Sequence, residues 1–145
     1  MGGALAVRLA IILLALVGLG VSTYIILFEH FGAPLVCLGE GCSIVAQSPY
    51  SEIFGVPVAL LGFISYGLIL ALGSWSLRVE NPLSDYLHLG VFGLALSGLI
   101  FSAYLMYVSF TIIQATCVWC LTSAAAITSI FVLAALGLRR AEGSD

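Results

Sequence analysis

Long apolar runs broken by scattered charges dominate the pattern of this chain. From 9 to 28, between Arg8 and Glu29, the only polar groups are those of Ser22, Thr23 and Tyr24. A second run follows Pro57 and continues to Arg78, a third follows Asp85, and a fourth ends at the Arg139-Arg140 pair. A helix needs about 20 mostly apolar residues to cross the hydrocarbon of a bilayer. The four runs therefore predict membrane helices over 9–28, 58–77, 87–113 and 117–138. Pro57 suits the first turn of the second helix, where a missing N–H costs nothing. The pattern reads as one all-α integral membrane domain over 1–145, a four-transmembrane-helix bundle with a long first loop over 29–56.

Composition strengthens that reading: 62% of the 145 residues are apolar and 8% charged, against about 25% charged in a soluble domain. Seven acidic and four basic residues leave a net charge of −3, with no basic patch for nucleic acid. Basic residues collect in cytoplasmic loops. Arg8, Arg78, Arg139 and Arg140 all take the same side of a four-span chain, so both termini are expected in the cytoplasm of a multi-pass cell-membrane protein. The loop over 29–56 and the turn over 114–116 then face outward. The first run is longer than a secretory signal core and has no small-x-small cleavage site before Tyr24, so it reads as an uncleaved span.

This topology puts all four cysteines at the outer face, where disulfides persist. Cys117-Val118-Trp119-Cys120 spaces two sulfurs one helical turn apart, close enough for a labile disulfide. A helix starting there favours the thiolate through its unpaired N–H groups and dipole. No His follows Cys120, so the haem-attachment motif is absent. Cys37 and Cys42 bracket a Gly-containing segment on the same side. Two dithiols facing one compartment suggest exchange between them. Other readings of the residues stay open: cysteines packed as small apolar side chains, a structural disulfide clamp, or a four-cysteine zinc site stabilising a non-enzymatic membrane protein.

These features together resemble a prokaryotic member of the vitamin K epoxide reductase family. The likeness covers nearly the whole chain. It rests on the four spans, the loop cysteine pair before the second, Ser48 six residues after Cys42, Ile53-Phe54-Gly55 with Pro57 at the start of that span, and Cys117-x-x-Cys120 followed by Thr122. The unrelated disulfide bond formation protein B family has its cysteine pairs in the opposite order. Two departures from animal family members are Ala124, where they carry Tyr, and Ser51, where they carry Asn. Both argue against epoxide reduction.

The resemblance implies an enzyme, a quinone-dependent thiol-disulfide oxidoreductase that sustains disulfide formation. Cys37 and Cys42 would take electrons from a separate thioredoxin-like periplasmic or extracellular protein. Cys42 would attack Cys117 of the Cys117–Cys120 disulfide, leaving Cys120 to meet a menaquinone or ubiquinone. Ser48 and Phe54 are the expected quinone contacts. Trp119, Tyr104 and Tyr107 are weighed as walls of that site, against the commoner role of such rings as interfacial anchors. Gly18 with Ser22 and Gly98 with Ser102 read as helix-packing positions, Thr122 as a back-bonding hydroxyl, and His30 as an interfacial residue. His88 falls on the inner side, away from the sulfurs. The spans as drawn hold no acidic residue, which leaves outer water as the expected proton source.

Overall fold

The computed structural model describes residues 2–32, 44, 49, 52–79, 82–114 and 118–143. Nearly all of these lie in four helices: α1 (Gly2–Phe31), α2 (Val58–Ser76), α3 (Leu83–Val108) and α4 (Val118–Gly143). A π-helical turn, Ser109–Ile113, prolongs α3 and ends at Gln114 in the left-handed region, φ 57°. All four helices are long and apolar enough to cross a membrane, and the chain is a multi-pass membrane protein of the all-helical class. Cys37, Cys42, Ser48, Ser51 and Cys117 lie outside the described residues.

Several helices run past the limits that hydropathy draws. α1 starts at Gly2 and ends at Phe31, enclosing Arg8 and Glu29; α3 starts at Leu83; α4 continues through Arg139 and Arg140 to Gly143. A charge ends an apolar run but not a helix, because long charged side chains reach past the hydrocarbon while the backbone ladder continues. Ahead of α2, strands β1 (Glu52–Ile53) and β2 (Val56–Pro57) pair antiparallel, with Glu52 opposite Pro57 and Ile53 opposite Val56. Phe54 and Gly55 between them both have positive φ, 53° and 80°, as a two-residue type I′ turn requires.

Each helix packs against two neighbours in a closed ring, α1 on α2 and α4, α3 on α2 and α4. Ile11, Ala15, Ile69, Val91, Ala95 and Ile130 fill the centre. Large side chains such as Leu13, Leu68 and Ile100 stand exposed on the outside, where lipid replaces water. Lipid tails are as apolar as Leu, so close packing has to hold the helices together, and small residues permit it. A Cβ on Gly18 would collide with the Tyr66 ring, and one on Gly62 would lie 2.9 Å from Ser22 Oγ. Across the ring, a Cβ on Gly98 would meet Ile127 at 3.0 Å, and Gly137 gives its space to the His88 imidazole.

The ends of the bundle differ. At one end Arg8 donates to Ser76 O at 2.9 Å, Ser84 Oγ reaches the same carbonyl at 3.4 Å, and His88 Nε2 lies 3.3 Å from Ala134 O. The carbonyl can only accept, so His88 carries its proton on Nε2. These three contacts join α1, α2, α3 and α4 at the end where α1 begins. The opposite end carries the hairpin, the π-turn and the start of α4.

Candidate functional site

Cys120 is the third residue of α4 and is half-buried. It therefore lies in the first turn, whose N–H groups have no partner within the helix and favour negative charge nearby. The residue before it, Trp119, packs its indole on Tyr24 of α1, with ring centroids 4.8 Å apart and planes inclined by 48°. That tilted aromatic pair fixes how α4 meets α1 at the level of the sulfur. Tyr24 is a site residue that sequence reasoning passed over, since nothing in spacing alone pairs it with Trp119.

Below this level a second cross-helix contact sets the depth. Tyr66, 3% exposed, donates its hydroxyl to Ser123 O at 2.8 Å and lies 3.0 Å from Ser123 Oγ. Ser123 is three residues beyond Cys120, so this bond anchors α2 to α4 one turn deeper. Tyr66 fits only because Gly18 leaves the space on α1. The layer Gly18, Tyr66, Ser123 forms a floor beneath the Cys120 level. The signal for it in the sequence was a lone Tyr within an apolar run, facing a helix with Gly at a packing position.

The remaining candidates divide. Phe54 is fully exposed at the hairpin turn, so the structure does not bring it to Cys120. The left-handed backbone at 54 turns its ring off the bundle. Tyr104 and Tyr107 are also exposed, which matches the anchoring role rather than walls of a site. Thr122 donates to Val118 O at 2.9 Å, the local back-bond expected of it. His88 belongs to the opposite end, hydrogen-bonded near Ala134, fourteen residues along α4 from Cys120. A shallow depression lined by Ser74, Trp75, Arg78 and Val79 lies beyond the end of α2, far from the sulfur.

A flat apolar ring would fit the surroundings of Cys120. Next to Cys120 in sequence, Trp119 packs on Tyr24, and the flanking Val118 and Leu121 are exposed on the outer surface of the bundle. The structure thus presents a four-span helical bundle with a half-buried cysteine near the start of its last helix, next in sequence to an aromatic contact between α1 and α4. The sequence profile of the vitamin K epoxide reductase family matches residues 9–135, and the chain belongs to that family. Among curated proteins it is similar to the thiol-disulfide oxidoreductase LTO1 of Arabidopsis thaliana, 30% identical over 118 residues. That match takes in 77% of this chain and 31% of the plant protein, so the chain spans about a third of its relative's length.

Proposed function

We propose that this protein is a membrane thiol-disulfide oxidoreductase that passes electrons from an extracytoplasmic thioredoxin-like partner, through Cys37 and Cys42, to Cys117 and Cys120, and on to a quinone. The observation that carries the reading is the place of Cys120: near the start of a membrane helix, half-buried, next in sequence to the Trp119 that packs on Tyr24, within a chain whose family match spans both cysteine pairs. The positive-inside pattern supports an orientation with this end of the bundle outside the cytoplasm.

Thiol exchange proceeds through one mixed disulfide at a time. The partner's dithiol reduces the Cys37–Cys42 disulfide. Cys42 then attacks Cys117 and releases Cys120 as the thiolate, which the first turn of α4 stabilises by its dipole. Completing the exchange returns Cys37 and Cys42 to the disulfide and leaves Cys117 and Cys120 as a dithiol. A quinone held there supplies an acceptor of two electrons and two protons. Trp119 and Tyr24 would hold its ring by stacking, Ser48 would donate a hydrogen bond, and the Tyr66–Ser123 layer would stop it from sinking deeper. Re-formation of the 117–120 disulfide releases the electron pair.

The test is anaerobic mixing of the detergent-solubilised protein with a small dithiol and a menaquinone or ubiquinone analogue, following quinone absorbance. Turnover is expected in the wild type and in Cys37→Ser, because a small dithiol enters the site directly, and is lost in Cys117→Ser and Cys120→Ser. Folded wild-type protein that reduces neither quinone would overturn the reading.

A further inference from the structure

The carboxyl group of Glu29 stands out among the described residues as the one with a buried side-chain oxygen, Oε2, that has no hydrogen-bond partner. Leaving such an atom without a partner is unfavourable, more so when it is charged, so its retention calls for a reason. A structural carboxylate would be neutralised by a cation. The chain has four Lys or Arg residues, all arginines, and none serves here. Arg8 binds Ser76 at the far end, Arg140 packs beside Gly3, Arg78 follows α2, and Arg139 is near the end of α4. Among the described residues, the titratable groups near enough to act on Glu29 are His30 on the same helix and Glu52 on β1.

Its place in the bundle is set by helix register. Ile11, Ala15, Gly18 and Ser22 form the buried stripe of α1, and Glu29, seven residues after Ser22, continues the same face. On that face Gly18 meets Tyr66 and Ser22 meets Gly62, so the antiparallel register carries Glu29 just past the first residue of α2, to the Glu52–Pro57 base of the hairpin. Against α4, Gly3 meets Arg140 and Tyr24 meets Trp119. This puts Cys120 level with Thr23, and Glu29 about 9 Å further toward the mouth, at 1.5 Å per residue. The carboxyl thus lies on the inner face of the bundle, between the hairpin and the level of the sulfur.

We propose that Glu29 is the proton-relay residue of this site, carrying protons through water between the cysteine dithiol and the acceptor. The inference rests on the quinone-reducing reading above. In one turnover the Cys117/Cys120 dithiol loses two electrons and two protons as its S–S bond forms, and the acceptor takes up two of each. Glu29 accepts a thiol proton, passes it on, and ends in its starting state. Burial at the mouth without a cation leaves the carboxyl free to hold the proton or release it, which an ion pair would prevent.

The experiment is the dithiol-to-quinone assay across pH on wild type, Glu29→Gln and Glu29→Asp, with redox-induced infrared difference spectra of the same proteins lacking added quinone. Glu29→Gln is expected to slow quinone reduction by about 10²-fold, in the range of lost proton-transfer catalysis, and to flatten its pH profile. Alkylation should show its cysteines still reduced by the dithiol at the wild-type rate. Glu29→Asp should keep the wild-type profile at a reduced rate. Oxidation of the dithiol should shift a carboxyl band in the wild type that moves in Glu29→Asp, a readout that holds even if the Gln variant fails to fold. The relay is overturned by a Gln variant within twofold of wild type at every pH, by Asp and Gln variants slowed equally with unchanged profiles, or by absence of the band. A wild type that reduces no quinone sinks the parent reading instead.

Discussion

Replacing Gly18 with Ala tests the seam on which the site's register depends. The added methyl would fall inside the Tyr66 ring, and overpacking of this kind costs about 1–3 kcal/mol. Against it stands the gain of about 0.8–1.0 kcal/mol when a helical Gly becomes Ala. Gly18→Ala should therefore destabilise by a net value of roughly 0–2 kcal/mol. Gly20, two residues on in the same helix, has nothing within 4 Å of a built Cβ, so Gly20→Ala should show the gain alone. Tyr66→Ala by itself should cost about 3–5 kcal/mol, as for a buried aromatic. In that background the clash is gone, and Gly18→Ala should become stabilising by about 1 kcal/mol. The coupling energy, about 1–3 kcal/mol, cancels helix propensity and reports the contact itself. Unfolding in mixed micelles, followed by the fluorescence of Trp119 in a Trp75→Phe background, measures all four corners of the cycle. Equal effects of Gly18→Ala with and without the Tyr66 ring would show that α1 does not meet α2 in this register, and the placement of Glu29 would fall with it.

Other outcomes follow from particular contacts. Removing the Tyr66 hydroxyl (Tyr66→Phe) should cost about 0.6 kcal/mol and no more than about 1.7, and Ser123→Ala should add little to it in a double-mutant cycle. Gly137→Ala pushes the His88 imidazole out of its pocket and should destabilise by about 1–3 kcal/mol, while leaving the reactivity of Cys120 toward an alkylating reagent unchanged. Phe54→Gly relieves an L-residue held at φ 53° and should stabilise by about 1 kcal/mol; quinone reduction that is unaffected would remove Phe54 from the site. Tyr24→Leu should loosen the start of α4 by about 0.5–1.5 kcal/mol through the lost ring pairing and raise the KM for quinone more than it lowers kcat.

The spans were legible because hydrocarbon imposes a length and a composition together, and a run such as 9–28 meets both with little competing signal. Where those spans end was less legible. Hydropathy registers Glu29 as a boundary, whereas the backbone hydrogen bonds of α1 continue to Phe31 and draw that carboxyl into the last turn. The packing role of Gly18 and Gly98 could be read from spacing, but not which partner fills the space each leaves. Tyr66, Ser123 and Tyr24 escaped for the same reason: their importance lies in pairings between helices, and one sequence without contacts does not contain the register that brings residue 24 to 119 or 66 to 123. Phe54 drew notice as part of a motif, and motif membership says nothing of which way a left-handed turn will aim a ring.

The hydrogen bonds around Ser76 and His88 give the bundle a mechanical asymmetry. All four rods are clamped at the Arg8 end by polar contacts in an apolar medium, where few alternative partners exist. Toward the other end the described contacts are fewer in kind: the Tyr66 hydroxyl bonds Ser123 between α2 and α4, and the Tyr24 ring meets Trp119 between α1 and α4. A bundle pinned by three polar contacts at one end yields first at the other, where one hydrogen bond and one ring pair are described. Amide hydrogen exchange should fall steadily from the Trp119 level of α4 toward Ala134.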